Sequence, residues 1–325
     1  MKVLLTGGTG QLGAALARAL VARGDEVRAL VRDPARAEGL KAAGCALVRG
    51  DVTAPESLAA ATAGVEAVMH AAGVISYWGG RRAEVFKVNV EGTRSLLDAS
   101  AASGVRRFVY TSSIASLGSP PGDSLGDEDT PWNWDGVNVP YFESKRAAEQ
   151  LLFAERRLEA LAVNPAIIFG ADDVNRNGVR VLLQVYQGKA PGAPPGATTT
   201  ANLEDVVAGH LAALDRGEPG TRTVLGGTAL SFRELFDAIA EVVGRPAPRR
   251  TLSPWMVRAL AFASEAGSWA NGKEPSLPRG QGELLIRNRR YRSDRAVRTL
   301  GYQPGPLRAG LEACWRWCVD TGLAG

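Results

Sequence analysis

A tyrosine and a lysine stand four positions apart in Tyr141-Phe142-Glu143-Ser144-Lys145. On a helix that spacing puts both side chains on one face. A free phenol keeps its proton well above neutral pH, and a neighbouring ammonium favours the phenolate. Tyr141 is therefore a candidate to trade a proton with a carbonyl or alcohol oxygen near neutrality, with Lys145 as its partner. Two adjacent hydroxyls, Ser112 and Ser113, follow the apolar run Arg107–Thr111. A serine at the end of such a strand can hydrogen-bond the same oxygen. A Tyr-x-x-x-Lys alone is commonplace. What singles this one out is the start of the chain.

There, Thr6-Gly7-Gly8-Thr9-Gly10-Gln11-Leu12-Gly13 joins an apolar run to a helical pattern. Gly7 allows a tight turn, Gly10 lets the backbone approach a pyrophosphate at the positive end of the helix, and Gly13 permits close helix–strand packing. The strand–turn–helix context makes this a dinucleotide site rather than a chance run of glycines. Lys145 can then also hold the ribose hydroxyls of a nicotinamide nucleotide. At the end of the second strand an NAD site wants Asp or Glu for the ribose 2′-hydroxyl. The sequence reads Leu30-Val31-Arg32-Asp33 instead. Arg32, helped by Arg36, can bind a 2′-phosphate. Asp33 leaves a second possibility, since it can pair with Arg32 or bind ribose itself. NADP(H) is the expected cofactor, with NAD(H) as the alternative.

The elements that must position these groups read as alternating strands and helices, the pattern of parallel βαβ units. Strands are expected over Val3–Thr6, Glu26–Val31, Ala46–Arg49, Ala67–His70, Arg107–Thr111 and Leu161–Asn164. Helices are expected over Leu12–Ala22, around Pro55–Thr62, over Glu84–Ser103 and over Tyr141–Glu159. After Pro165 the pattern changes: a Gly/Pro-rich loop at Gly188–Gly196, a helix at Leu203–Arg216, a returning strand at Thr223–Leu225 and a helix at Phe232–Val243. The fold class is α/β, a doubly wound parallel sheet of Rossmann type. A smaller, discontinuous, mostly helical substrate domain follows. Residues 1–165 and about 201–228 form the nucleotide half, and about 166–200 and 229–325 the substrate half.

Composition removes other classes. The net charge of the 325 residues is only +4, with Lys and Arg interleaved with Asp and Glu, so no nucleic-acid partner is expected. Cys45, Cys314 and Cys318 cannot build a disulfide framework and read as core residues. Two histidines, His70 and His210, without a Cys/His cluster, argue against a metal site. No apolar run reaches membrane-spanning length, and the opening run is too short for a secretory signal, so a cytoplasmic protein without a membrane partner is expected.

With these motifs in place the chain resembles an extended short-chain dehydrogenase/reductase of the epimerase/dehydratase superfamily. The likeness runs through Thr6–Gly13, Asp51-Val52, His70-Ala71-Ala72-Gly73, Asn89-Val90-Glu91-Gly92-Thr93, Tyr110–Gly118, Tyr141–Lys145 and Asn164–Gly170. It implies Tyr141 as acid/base, Lys145 as its partner and a serine as substrate polariser. Ser112 is one candidate, but the family's spacing back from Gly118 favours Ser113. It further implies Asp51 and Val52 beside the adenine, Ala71, Ala72 and Gly73 along the cofactor, and Pro165 against the nicotinamide. Thr6, Gln11, Leu12 and Thr111 belong to the same nucleotide motifs. Asn89 is either a backbone brace or part of a proton relay. Related enzymes dimerise through the long helices, so a homodimer is an expectation.

Within the family, Val27–Pro34 and Tyr110–Ile114 look like the dihydroflavonol-reductase and 3β-hydroxysteroid-dehydrogenase side. Those relatives move hydride between a nicotinamide and a ketone or secondary alcohol on a bulky apolar molecule. Tyr77, Trp78, Ile114, Trp132, Trp134 and Phe142 are the candidate pocket wall for a small ring-bearing substrate; Trp255 to Trp269 is a candidate roof or, more readily, core. The rival is a nucleotide-sugar epimerase or dehydratase holding NAD tightly. Such enzymes often place an Arg shortly before the aspartate matching Asp205, and Thr198–Leu203 carries no cation, although Arg176 or Arg180 can compensate from elsewhere. A non-catalytic cofactor sensor is a third reading, disfavoured because Ser113, Tyr141 and Lys145 are all present.

Overall fold

The computed structural model describes residues 1–174, 178–271 and 273–324, without the side chains of 269–271; Arg176 and the Trp269 side chain thus lie outside the described residues. Eleven strands are described: β1 (Lys2–Thr6), β2 (Glu26–Val31), β3 (Ala46–Arg49), β4 (Ala67–His70), β5 (Arg107–Thr111), β6 (Glu159–Pro165), β7 (Ile167–Phe169), β8 (Ala197–Asn202), β9 (Arg222–Leu225), β10 (Thr228–Ser231) and β11 (Asn288–Arg289). Seven of them form one all-parallel sheet in the order β3-β2-β1-β4-β5-β6-β9. The order reverses between β1 and β4, and the crevice at the carboxyl ends of those strands is where such sheets take ligands.

Central strands buried on both faces read as continuous apolar runs, and Val3-Leu4-Leu5 and Ala67-Val68-Met69 are fully buried. On one face the sheet packs against the Gln11–Ala22 and Leu203–Arg216 helices through Leu16, Leu20, Val206 and Leu214. On the other it meets the Leu58–Thr62, Gly92–Ala102 and Pro140–Ala154 helices through Leu58, Leu96, Ala148 and Leu152.

Two helices differ from the sequence expectation. The long helix over 84–103 is broken by a π-helical turn at Lys87–Glu91 between Arg82–Phe86 and Gly92–Ala102. The extra residue per turn lets Asn89 reach the loop after β4. The helix carrying Tyr141 stops at Ala154 rather than Glu159. The Glu155 carboxylate takes the Arg157 backbone N–H at 2.6 Å and its guanidinium at 3.0 Å, closing a turn that neither Gly nor Pro marks in the sequence.

A second sheet, which periodicity did not reveal, lies in the later part of the chain. β8 is antiparallel to β10 and parallel to β7 and β11. Its residues Thr198-Thr199-Thr200 are polar yet fully buried, which is why no strand pattern showed. Around it pack the Phe232–Val243 helix, opened by a Ser231/Glu234 capping box, and the Leu307–Asp320 helix with Cys314 and Cys318 in the core. Trp255, expected in a pocket roof or core, is 70% exposed on the Pro254–Asn271 helix. Among the described residues no helix is long and apolar enough to cross a membrane.

Candidate active site

The glycine turn lies beside the crevice at β1 and β4, against the Ala71-Ala72 backbone. Gly7 takes φ +74°, and a Cβ there would stand 2.5 Å from the Ala71 backbone. A Cβ on Gly13 would overlap the Gly7 carbonyl. Only glycines permit this turn to lie so close to both the helix and the Ala71-Ala72 backbone. Gly10 begins the Gln11–Ala22 helix without any side-chain cap, so the first N–H groups of that helix remain for an anion. The cradle thus fits a dinucleotide pyrophosphate. Gln11 contributes backbone only, because its side chain donates to the Gly170 and Ala171 carbonyls at 3.2 and 2.9 Å.

Beyond β2, Arg32 and Arg36 are exposed, and neither side chain has a hydrogen-bond or ion-pair partner among the described residues. Asp33 does not pair with Arg32; it accepts the Ala35 N–H at 3.1 Å and caps the Pro34–Arg36 turn. Asp51 accepts from the Thr53 N–H at 2.9 Å, and Val52 is buried against Gly92.

A directional chain fastens the turn to the sheet. Thr93 donates to the Asn89 carbonyl (2.7 Å), His70 Nε2 lies 3.0 Å from Thr93 Oγ1, His70 Nδ1 lies 2.7 Å from Thr6 Oγ1, and the Ala72 N–H donates to Thr6 Oγ1 (3.2 Å). The order fixes His70 as the neutral Nε2–H tautomer, and burial, helped by the Lys145 charge, lowers its pKa to about 3. Asn89 bridges both backbone groups of Val74, at 2.8 and 2.9 Å, and donates to Ser144 Oγ at 2.9 Å. It is a brace for the loop bearing Gly73.

Ser113 lies just past β5, and the Pro140–Ala154 helix carries Tyr141 and Lys145. Ser113 lies close enough to the Tyr141 phenol to favour its ionised form, and its hydroxyl accepts the Ala115 N–H at 3.1 Å. Ser112 instead turns inward, 3.5 Å from Ser116 Oγ. Gly118 sets this turn, since any Cβ there would overlap the Pro131 carbonyl. Lys145 Nζ donates to the Thr111 carbonyl at 2.7 Å and stands 6.0 Å from the Tyr141 ring centre. The Thr111 hydroxyl lies 3.0 Å from His210 Nε2. A Cβ on Gly73 would come within 3.5 Å of Lys145 Nζ, so the glycine keeps that approach open. Pro165 ends β6 and is buried.

The electrostatics differ from the sequence expectation in one respect. Tyr141 is not acidified: burial raises its pKa, and Tyr77 adds to the rise, while Ser113 and Arg289 oppose it. Burial also lowers Lys145 to about 8, with the Glu149 carboxylate one turn on pulling the other way. Glu149 was not singled out in the sequence. It is 2% exposed and accepts from Ser116 (2.9 Å) and Asn164 (2.5 Å), with Arg222 at 3.0 Å on its other oxygen. Its i, i+4 spacing from Lys145 was the available signal.

The candidate wall residues divide. Tyr77 meets the Tyr141 ring edge-on at 6.0 Å, and Phe142 lies 6.4 Å from Tyr77. Trp78 is half-buried over Gly80. Ile114 is buried in the main core. Trp134 is buried and spends its indole N–H on the Leu117 carbonyl at 3.0 Å, while Trp132 donates to Asp135 at 3.0 Å under Arg146. Trp132 and Trp134 nevertheless line a surface cavity of about 280 Å³, together with Arg82, Asp135, Gly136, Asn138 and Glu143.

Comparison with known proteins agrees with this geometry. The model of the "NAD dependent epimerase/dehydratase family" matches residues 3–226. The chain belongs to that family. It is 32% identical to "Sterol demethylase protein B" of Methylococcus capsulatus, over 99% of this chain and 100% of that one. It is 30% identical to "2-alkyl-3-oxoalkanoate reductase" of Stenotrophomonas maltophilia, over 94% and 95%. Proteins named for dihydroflavonol reduction and 3β-hydroxysteroid dehydrogenation also match. The crystal structure of gox2253 superposes with a TM-score of 0.87 at 31% identity, covering 99% of this chain and 98% of that one. This family member is an NAD(P)-dependent oxidoreductase of small molecules.

Proposed function

We propose that the protein transfers hydride between NADP(H) and a ketone or secondary alcohol on an apolar or ring-bearing small molecule. The observation that carries this reading is Ser113, just past the carboxyl end of β5, beside Tyr141, with Lys145 on the same helix face as Tyr141. When bound, the nicotinamide supplies or takes up the hydride at the substrate carbon. Ser113 and Tyr141 hold the substrate oxygen between two hydroxyls, and Tyr141 gives that oxygen its proton on reduction. The raised phenol pKa suits the donating direction, since the proton is held until an alkoxide develops. Lys145, anchored on the Thr111 carbonyl, faces the ribose position and restores charge balance beside the phenolate. Thr6, Gly7, Gly10, Leu12 and Gly13 cradle the pyrophosphate; Asp51, Val52, Ala71, Ala72, Gly73 and Pro165 flank the nucleotide. Arg32 and Arg36, exposed and unpartnered, take the 2′-phosphate. Residues 1–165 with about 201–228 carry the nucleotide, and about 166–200 with 229–325 shape the substrate side.

The test is NADPH oxidation against a panel of hydrophobic ketones. Turnover with several of them, abolished in Tyr141→Phe, supports the reading. Tight NADPH binding without turnover of any ketone makes the protein a sensor instead. Release of NAD on denaturing the purified protein would favour the epimerase.

A further inference from the structure

Arg289 is used by nothing described so far. It sits on β11 opposite Thr198 of β8, in the very stretch whose sequence carries no cation. It is only 7% exposed. Its guanidinium carbon stands 5.1 Å over the ring of Phe142, next to Tyr141 in the chain, and its charge is felt by the phenols of Tyr77, Tyr141 and Tyr291. Among the described residues no carboxylate pairs with it and no acceptor takes its hydrogen bonds; Nε is sealed without a partner. A buried guanidinium is ordinarily paired, because desolvating it alone is costly. Buried Arg107 shows the usual solution, donating to the Ala213 and Gly217 carbonyls and pairing with Glu159. Arg289 braces no backbone and answers no charge, so packing does not explain why the position is not Met or Leu.

We propose that Arg289 recognises an anionic substituent, a carboxylate, on the molecule that Tyr141 acts on. The proposal rests on the oxidoreductase reading for the reacting end and adds the class of the substrate: a keto or hydroxy acid. The planar fork of a guanidinium matches a carboxylate with two parallel hydrogen bonds. One guanidinium matches one negative charge. The flanking arginines are committed elsewhere, Arg287 to the Asn133 carbonyl and Glu283, and Arg290 to Asp123, which leaves a diphosphate undercompensated. Phe142 contacts both Arg289 and the Tyr141 ring, and Tyr77 meets Tyr141 edge-on, so on this proposal the apolar body lies along Tyr77 with its carbonyl toward Tyr141 and its carboxylate toward Arg289.

The experiment compares wild-type enzyme, Arg289→Met and Arg289→Lys with 3-oxodecanoate and its methyl ester. NADPH oxidation gives kcat/KM, and melting temperature of the NADP-loaded protein reads binding. The wild type should prefer the acid to the ester at least tenfold, and the Met variant should bring that ratio to within threefold of one. The Lys variant, which keeps the charge without the fork, should fall between and serves if the Met variant does not fold. The acid should raise the melting temperature of the wild type and not of the Met variant. Without acid, the Met variant should melt no lower than wild type, because it has lost an unpaired buried charge; a structural arginine would give the opposite. An acid-to-ester ratio that is the same in wild type and variants overturns the proposal. So does failure of the acid to bind the wild type, or Arg289-dependent binding of UDP-glucose in its place. Arg289-dependent binding of the acid without turnover of either compound upholds the anion site and removes only the reading that Tyr141 acts on a ketone of that molecule.

Discussion

The Tyr141 hydroxyl is asked to do two things: keep its proton in a dry site and release it to a nascent alkoxide. Tyr141→Phe preserves the ring contacts with Tyr77 and Phe142 and deletes only that proton. Its turnover should drop by a factor on the order of 10² or more, with NADPH affinity, measured by fluorescence titration, little changed. Lys145 titrates near 8, so the kcat/KM for ketone reduction should decline as pH rises through about 8, where the ammonium is lost. In Lys145→Arg that limb should move to higher pH, because a guanidinium does not deprotonate in this range. Arg32→Glu should weaken NADP(H) and favour NAD(H) relatively; an unchanged ratio of kcat/KM for the two cofactors would place the 2′-phosphate elsewhere. Tyr141, Lys145 and the glycines were legible because their spacing is local and tied to one element. Arg289 was not, since 148 residues and a second sheet separate it from Tyr141, and an isolated arginine in an arginine-rich chain carries no pattern. The raised Tyr141 pKa was equally hidden: burial is a property of the assembled site, and it outweighs the charge on the same helix.

The strands and helices that hold the site are tied together by buried neutral histidines. His70 joins β4 to β1 and to Thr93 of the Gly92–Ala102 helix, and His210 joins the Leu203–Arg216 helix to β5 by bonds to Val206 and Thr111. Burial lowers their pKa values to about 3 and about 4, from an unfolded value near 6.5. Between those limits the unfolded chain binds more protons than the folded one, so stability falls as pH falls below about 6.5. With both groups contributing, the slope approaches on the order of 3 kcal/mol per pH unit. Urea midpoints from pH 7 to 4.5 should show this decline, and His210→Asn should flatten it. Gly118→Ala should destabilise by on the order of 1–3 kcal/mol and lower turnover as well, because the displaced Pro131 loop packs on the turn that follows Ser113. The sequence placed the parallel strands almost to the residue because continuous apolar runs bounded by glycines are unambiguous. It missed β8 because three buried threonines read as a polar loop. It missed the π turn because an inserted residue leaves no compositional trace.

Taken as an assembly, the parallel sheet and the crevice at its reversal follow from the alternation of strand and helix patterns, whereas the second sheet is a product of long-range pairing that no local window contains. The Arg82–Ala102 and Pro140–Ala154 segments lie on one side of the sheet, and we propose that they form a homodimer; light scattering at micromolar concentration should give twice the chain mass, and a monomer would reject it. One feature of the topology bears on how the molecule is made. The edge strand β9 joins β6 only after β7 and β8 have been synthesised for the other sheet. A nascent chain that has emerged as far as Pro165 therefore offers the open flank of β6, with unpaired amides along Ala162–Pro165, to any extended neighbour. Fragments ending near that proline should associate edge to edge, and the complete chain is protected by its own later residues.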